Sequence, residues 1–182
     1  AVIFGEPSEA QLAQTENLCL LQLTWAGADK YTRMVNLPRG TVLANASGAF
    51  GTIIAEYAIG SLVALYRSFG RYWSNKQAHI WQKYDHAETI SGKTALVLGM
   101  GAIGANVARR LKAFGAAVLG VKRTAVSAVP EDFDEAHTLD ALDALLPRAD
   151  IVIGCLPNTR ETAGLLTAER LHEMKAGAVL VN

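Results

Sequence analysis

Residues 94–114 run from a strand-forming stretch, Thr94-Ala95-Leu96-Val97-Leu98, through Gly99-Met100-Gly101-Ala102-Ile103-Gly104, into a segment with Ile103, Val107, Leu111 and Phe114 on one helical face. No other feature restricts the fold as much. A strand that enters a helix through three glycines makes a tight turn, and the helix then packs back on the strand it has left. Gly115 ends that helix.

The same rhythm continues to the last residue. Apolar runs at 95–98, 117–121, 151–156 and 178–181 are continuous, the pattern of parallel strands covered on both faces. Leu139, Leu142, Leu145 and Leu146 predict a helix capped by Thr138, and 167–174 predicts another, ended near Gly177. Short strand–helix–strand links specify an α/β fold with a doubly wound parallel sheet of the Rossmann type. Smaller elements precede it: strands at 2–4, 18–23 and 42–44, a helix at 9–14 and a turn at Pro38-Arg39-Gly40. The helix predicted over 52–69 is longer than a neighbouring pair of strands requires. It reads as a bridge between two lobes, with a plain core helix as the other reading. A chain of 182 residues suffices for one domain plus part of another. We therefore expect a partial lobe over 1–51, and the bridging helix with the larger domain over 52–182.

Each glycine of the turn has a physical task. Gly99 permits the tight turn, Gly101 lets backbone approach a pyrophosphate, and Gly104 lets helix and strand pack closely. The helix N-terminus, around Ala102 and Ile103, offers free N–H groups and a positive dipole end to phosphates. A dinucleotide is the ligand this pattern predicts. The next strand ends in Lys122-Arg123-Thr124, where an NAD site carries an acid for the ribose 2′-hydroxyl. Two cations suit the 2′-phosphate of NADP, so NADP is the preferred cofactor and NAD the other; a solvated loop is the plainer reading of the same residues.

Composition excludes several partners. Charges balance to zero, which gives no reason to expect nucleic acid or an anionic membrane. The longest apolar stretch, 53–66, contains Glu56, is closed by Arg67, and falls short of the roughly 20 residues that span a bilayer. Cys19 and Cys155 both lie in apolar runs, so two buried, unpaired thiols are expected, and with a strand rather than a signal-like segment at 2–4 they point to the cytoplasm. Asn45-Ala46-Ser47 reads as a chance glycosylation match. No metal-ligand spacing appears. His79, His86, His137 and His172 are scattered without a partnered acid at suggestive spacing and read as surface or packing residues.

Several segments in order resemble the D-isomer-specific 2-hydroxyacid dehydrogenases. Gln22-Leu23-Thr24-Trp25-Ala26-Gly27-Ala28-Asp29-Lys30 looks like the end of a strand in that family's smaller, flavodoxin-like α/β substrate lobe. Asn45-Ala46-Ser47-Gly48 with Ala55-Glu56 is similar to its crossover into a long interdomain helix. Ser91-Gly92-Lys93-Thr94, Leu156-Pro157-Asn158-Thr159-Arg160-Glu161-Thr162 with Gly164-Leu165-Leu166, and 174–182 also fit. The resemblance implies an oxidoreductase with its active site in an interlobe cleft, passing hydride between NAD(P)H and a small 2-keto or 2-hydroxy acid. It implies that Ala26 and Gly27 meet the substrate carboxylate through backbone N–H groups, an ordinary turn being the other reading. It also implies that Ala46, Ala102, Ile103, Lys122 and Leu156 lie against the cofactor. A homodimer joined through the long helix and the Trp73–Trp81 segment is implied too, with Arg67 and Arg71 serving that interface.

The family's catalytic arginine, and its histidine oriented by a glutamate, match nothing here; the arginine is expected about three residues past Asn182. No catalytic residue is therefore assigned, and the chain alone is expected to be inactive. A cofactor-sensing interaction module like the C-terminal-binding-protein corepressors is the alternative. Related two-lobed enzymes such as S-adenosylhomocysteine hydrolase or alanine dehydrogenase fit the 26–27 and 45–56 segments poorly.

Overall fold

In the computed structural model, which describes residues 1–33, 37–85 and 87–182, the first fifty residues build around three short parallel strands. These are β1 (Val2–Phe4), β2 (Leu20–Gln22) and β3 (Val42–Ala44), side by side in sequence order, with Ile3 opposite Leu21 and Leu21 opposite Leu43. Helix α1 (Glu9–Leu12) starts at Ser8, whose hydroxyl accepts from Gln11 N while the Gln11 carboxamide takes Ser8 N–H at 2.8 Å. It ends two residues sooner than its apolar pattern suggests. Helix α2 (Asp29–Thr32) buries Tyr31, whose hydroxyl donates to Pro7 O at 3.0 Å. Leu12, Leu18, Leu21, Leu23 and Tyr31 form the core of this unit.

Helix α3 (Gly51–Tyr66) opens the larger unit. The helix expected over 52–69 breaks at Ser68, which takes a left-handed φ of 53°, and α4 (Phe69–Gln77) continues as a separate helix. Then come β4 (Thr94–Leu98), α5 (Ala102–Ala113), β5 (Ala117–Lys122), β6 (Glu135–Thr138), α6 (Leu142–Leu145), β7 (Ile151–Gly154), α7 (Ala168–His172) and β8 (Val179–Val181). The five strands pair in parallel in the order β6-β5-β4-β7-β8. The chain builds outward from β4 through β5 to β6, then returns to the other side of β4 for β7. That reversal is the switch point at which open α/β sheets bind ligands, beyond the strands' carboxyl ends.

Burial follows strand alternation. Ala95, Val97, Val118, Ile151 and Ile153 pack under α3 and α5, while Leu96, Leu98, Leu119, Val121 and Val152 pack under α6. The two compact units comprise residues 1–50 with 157–163, and 51–156 with 164–182.

Several local expectations need correction. The helix expected after Thr138 is a 3-10 turn, one turn of α6 and a second 3-10 turn carrying Pro147; Thr138 makes no side-chain cap and instead donates its hydroxyl to Asp140 Oδ1. Phe114 is the exposed C-cap of α5. Cys19 is exposed and Cys155 half-buried, because position 19 lies just before β2, where the chain is not yet covered. Among the described residues no helix is long and apolar enough to cross a membrane.

Candidate functional site

The turn after β4 is clamped between both neighbouring strands. Gly99 N donates to Val121 O at 2.7 Å, and Cys155 N donates to Leu98 O at 2.7 Å. Gly99 has φ +107°, which side chains rarely tolerate, and a Cβ there would lie 2.7 Å from Cys155 O. A Cβ on Gly104 would lie 1.8 Å from Gly99 O, so helix and strand approach to a distance that excludes any side chain. Gly101 differs. It is the N-cap of α5, extended at φ −85°, and the space where its Cβ would point holds no atom of the described residues within 4 Å.

Among the described residues no side chain caps α5. Its first intrahelical bond runs from Ala105 N to Gly101 O at 2.9 Å, so the N–H groups of Ala102, Ile103 and Gly104 stand ahead of the hydrogen-bonded ladder. Their dipole end is positive. Leu156 is half-buried against the α6-side cluster, and its N would be 3.2 Å from a Cβ on Gly99. The Cys155 thiol beside it is pushed up to about 11 by burial, so it stays protonated and unreactive at neutral pH.

Lys122 is the last residue of β5, opposite Thr138 of β6. It has the parity of Val118, which faces α5, so it stands on the sheet face that carries the uncapped helix. Arg123 and Thr124 follow the strand end and are exposed. Among the described residues neither cation joins an ion pair. The turn, the α5 N-terminus, Lys122 to Thr124 and Leu156 thus gather at the carboxyl ends of β4, β5 and β7.

The other site candidates lie at the carboxyl ends of the smaller sheet. Ala46 N donates to Trp25 O at 3.1 Å and Asn45 Nδ2 to Ala26 O at 2.6 Å, which ties the 25–27 and 45–46 segments together. Gly27 is exposed, Ala26 and Ala46 half-buried. Sequence reasoning overlooked two neighbours. Glu6 Oε1 accepts from Thr24 N at 2.8 Å and Thr24 Oγ1 at 2.5 Å, and the hydroxyl, ahead of the backbone bonds, holds this carboxyl below its ordinary range. Trp25 stacks on Phe50, centroids 5.9 Å apart. The signal available was position: Glu6 and Thr24 follow strands that end side by side.

His137, read as lacking an acid, has one. Its Nε2 lies 2.8 Å from Glu135 Oε2, and Arg148 grips the same carboxylate at 2.6 and 3.1 Å. Side chains two apart on a strand share a face, a pairing that helical spacing does not suggest. His137 is opposite Val121, on the α6 face and away from Lys122, so the cluster braces the sheet edge. His79 and His172 are exposed, and His86 lies outside the described residues. Among the described residues no cluster of metal ligands occurs.

A family model described as D-isomer specific 2-hydroxyacid dehydrogenase, NAD binding domain, matches residues 59–182. D-3-phosphoglycerate dehydrogenase of Mycobacterium leprae is 34% identical over 172 residues, 94% of this chain and 32% of that protein. A solved D-isomer specific 2-hydroxyacid dehydrogenase family protein from Aeromonas salmonicida is 36% identical, with a TM-score of 0.89 over 98% of this chain and 57% of its own. Another from Xanthobacter autotrophicus, solved in complex with NADPH and MES, is 28% identical with a TM-score of 0.80, over 96% of this chain and 55% of its own. The chain therefore spans about a third of the mycobacterial relative and a little over half of these solved chains.

Proposed function

This chain belongs to the D-isomer specific 2-hydroxyacid dehydrogenase family, and from that premise we propose that the protein passes a hydride between a nicotinamide cofactor, NADP(H) in preference to NAD(H), and a 2-keto or 2-hydroxy acid. In this reading residues 52–182 are the cofactor half and residues 1–51 part of the substrate lobe.

The observation that carries it is the turn after β4. Gly99 and Gly104 have no room for a side chain, whereas Gly101 opens onto space at an uncapped helix N-terminus. A cradle that is full behind and bare in front fits a pyrophosphate held by backbone N–H groups. Ala102, Ile103 and Gly104 would supply those groups, and Leu156 an apolar wall. Lys122, Arg123 and Thr124 would meet a 2′-phosphate; the NADPH bound by the Xanthobacter relative supports that choice. When bound, the nicotinamide ring supplies or accepts the hydride. Ala46 would lie against the cofactor, and the N–H groups of Ala26 and Gly27 would hold the substrate carboxylate. Residues here that match family motifs bind and orient; none is assigned the proton transfer.

We further propose a homodimer through the exposed apolar faces of α3 and α4. The cytoplasmic placement rests on the free thiols of Cys19 and Cys155. The interaction-module alternative gains no support, since the relatives named above are dehydrogenases.

Titration of the full-length protein with NADPH, read by tryptophan emission, tests this, together with glyoxylate- or hydroxypyruvate-dependent oxidation of the reduced cofactor. Saturable binding with turnover is expected. Absence of binding to either nicotinamide cofactor overturns the reading.

A further inference from the structure

We propose that Met100 is a positioning residue: its side chain seats the phosphate turn in a notch that Gly120 leaves in β5, closed by Phe133. The inference rests on the cofactor reading above. A Cβ on Gly120 would lie 2.7 Å from Met100 Sδ, and 2.7 and 2.8 Å from Phe133 Cδ1 and Cε1. Thioether and ring therefore both rest on bare β5 backbone. Phe133 is 5% exposed, and Met100 packs against the same apolar cluster on the α5 side.

Met100 is the one residue with a side chain in the link between the end of β4 and the start of α5, since Gly99 and Gly101 flank it. Whatever holds the turn through side-chain packing has to act there. The wall it meets is fixed from both sides. Phe133 N donates to Pro130 O at 2.9 Å, and Asp132 takes a two-pronged grip from Arg109 of α5 at 3.1 and 3.2 Å. Asp134 N donates to Val118 O at 2.8 Å, and its Oδ2 accepts from Val118 N at 2.7 Å. A methionine fits such a notch because its unbranched thioether adapts to an irregular gap.

Gly120 also precedes Lys122 by two residues, on the same face of β5. One contact thus sets the turn against the strand that carries the 2′-phosphate candidates. An unseated turn populates conformations that do not bind, and apparent affinity falls by the lost fraction. The loss strikes NADP(H) and NAD(H) alike, because the seat fixes the pyrophosphate end that both share.

The test titrates the full-length protein, Met100→Ala, Met100→Leu, Gly120→Ala and the double variant Met100→Ala/Gly120→Ala with NADPH and NADH, alongside thermal unfolding. Met100→Ala should weaken both cofactors about tenfold with their ratio unchanged, and Met100→Leu should restore binding. Gly120→Ala should do the same by displacing the sulfur, and the double variant should be no worse than the weaker-binding single, since both changes remove one contact. Where Gly120→Ala does not fold, the two Met100 variants decide. Met100→Ala binding within about twofold of wild type, or a lowered unfolding midpoint with affinity retained, overturns the proposal. Loss confined to one cofactor, or additive losses in the double variant, also overturns it. Absence of binding in the wild type overturns the cofactor reading itself, and this inference with it.

Discussion

At the end of β5, Lys122 stands on the α5 face and Arg123 and Thr124 extend past the strand, where an acid would repel a 2′-phosphate and these residues can receive one. Arg123 offers a planar fork for two phosphate oxygens, Lys122 a mobile point charge and Thr124 a hydroxyl. One charge-assisted contact contributes about 1.5 to 3 kcal/mol, so a preference for NADP(H) of about tenfold or more is expected, less at higher salt. Lys122→Asp with Arg123→Ala should weaken NADP(H) far more than NAD(H) in titrations at low and physiological salt. Equal wild-type affinities would reduce the two cations to a solvated loop. The glycines separate fold from binding in a second experiment. A methyl on Gly101 meets no atom of the described residues, so Gly101→Ala should keep its unfolding midpoint and lose cofactor affinity. A methyl on Gly104 would collide with the Gly99 carbonyl, so Gly104→Ala should lower both. Unchanged affinity in Gly101→Ala would mean that the open side of the turn faces no ligand.

Two carboxylates pin the starts of neighbouring strands. Asp150, just before β7, accepts from Thr94 N of β4 at 2.8 Å and from Lys175 at 2.9 Å; Asp134, just before β6, accepts from Val118 N of β5 and from Lys112. Burial pushes Asp150 up, but Thr94 N–H, Lys175 and Lys93 outweigh it, and for Asp134 Lys112 and then Val118 N–H do so over burial, so both sit below the ordinary 3.8. A carboxyl depressed in the fold stabilises it above the unfolded value, and the gain is lost as pH falls through the lower folded value. The unfolding midpoint should therefore drop below about pH 4, and Asp150→Asn should flatten that acid limb while lowering the neutral midpoint. Melts that are flat through acid pH in the wild type would contradict this. These braces join residues far apart in sequence and were not legible there, unlike β4, β5 and β7, whose continuous apolar runs announce burial on both faces. Strand β6, Glu-Ala-His-Thr, stayed hidden because it is a half-buried edge strand whose side chains form a charged brace. Helix α4 stayed hidden because the αL break falls on Ser68, a residue type that does not announce left-handed backbone in sequence, just past the apolar run that Arg67 closes. At the site the glycine motif was readable because backbone geometry constrains residue type locally. The seat of Met100 was not, because Gly120 and Phe133 reach it only through the fold.

At the scale of the molecule, the long helix carries more apolar surface than its own unit covers. Ala55, Ala58, Ile59, Leu62 and Tyr66 make the stripe buried against α5 and the sheet, which removes Leu62 and Tyr66 from any outward face. Ile53, Ile54, Tyr57 and Leu65 remain on the other side, and α4 adds Phe69, Tyr72 and Trp73. The irregular segment after α4 is fixed to it: Tyr84 packs edge-on to Tyr72 at 5.2 Å, its N donates to Tyr72 Oη at 3.2 Å, and its own hydroxyl accepts from Asn75 at 3.1 Å. That bracing holds Ile80 and Trp81 outward, with Trp81 fully exposed. An apolar face of this extent, pre-formed rather than slack, is characteristic of an interface. A second copy of the chain is the expected occupant, because a two-fold pairing covers each patch with the same patch. Such an obligate contact should bury on the order of 2,000 Å² or more in total. Sedimentation equilibrium of the protein should give a dimer at micromolar concentration, and Tyr57→Asp with Phe69→Asp should give monomers, since each charge would have to be desolvated in the joint. Both side chains are exposed in the single chain, so the variant should keep its unfolding cooperativity and its cofactor affinity. A monomeric wild type at that concentration would refute the dimer and leave this face to a different partner.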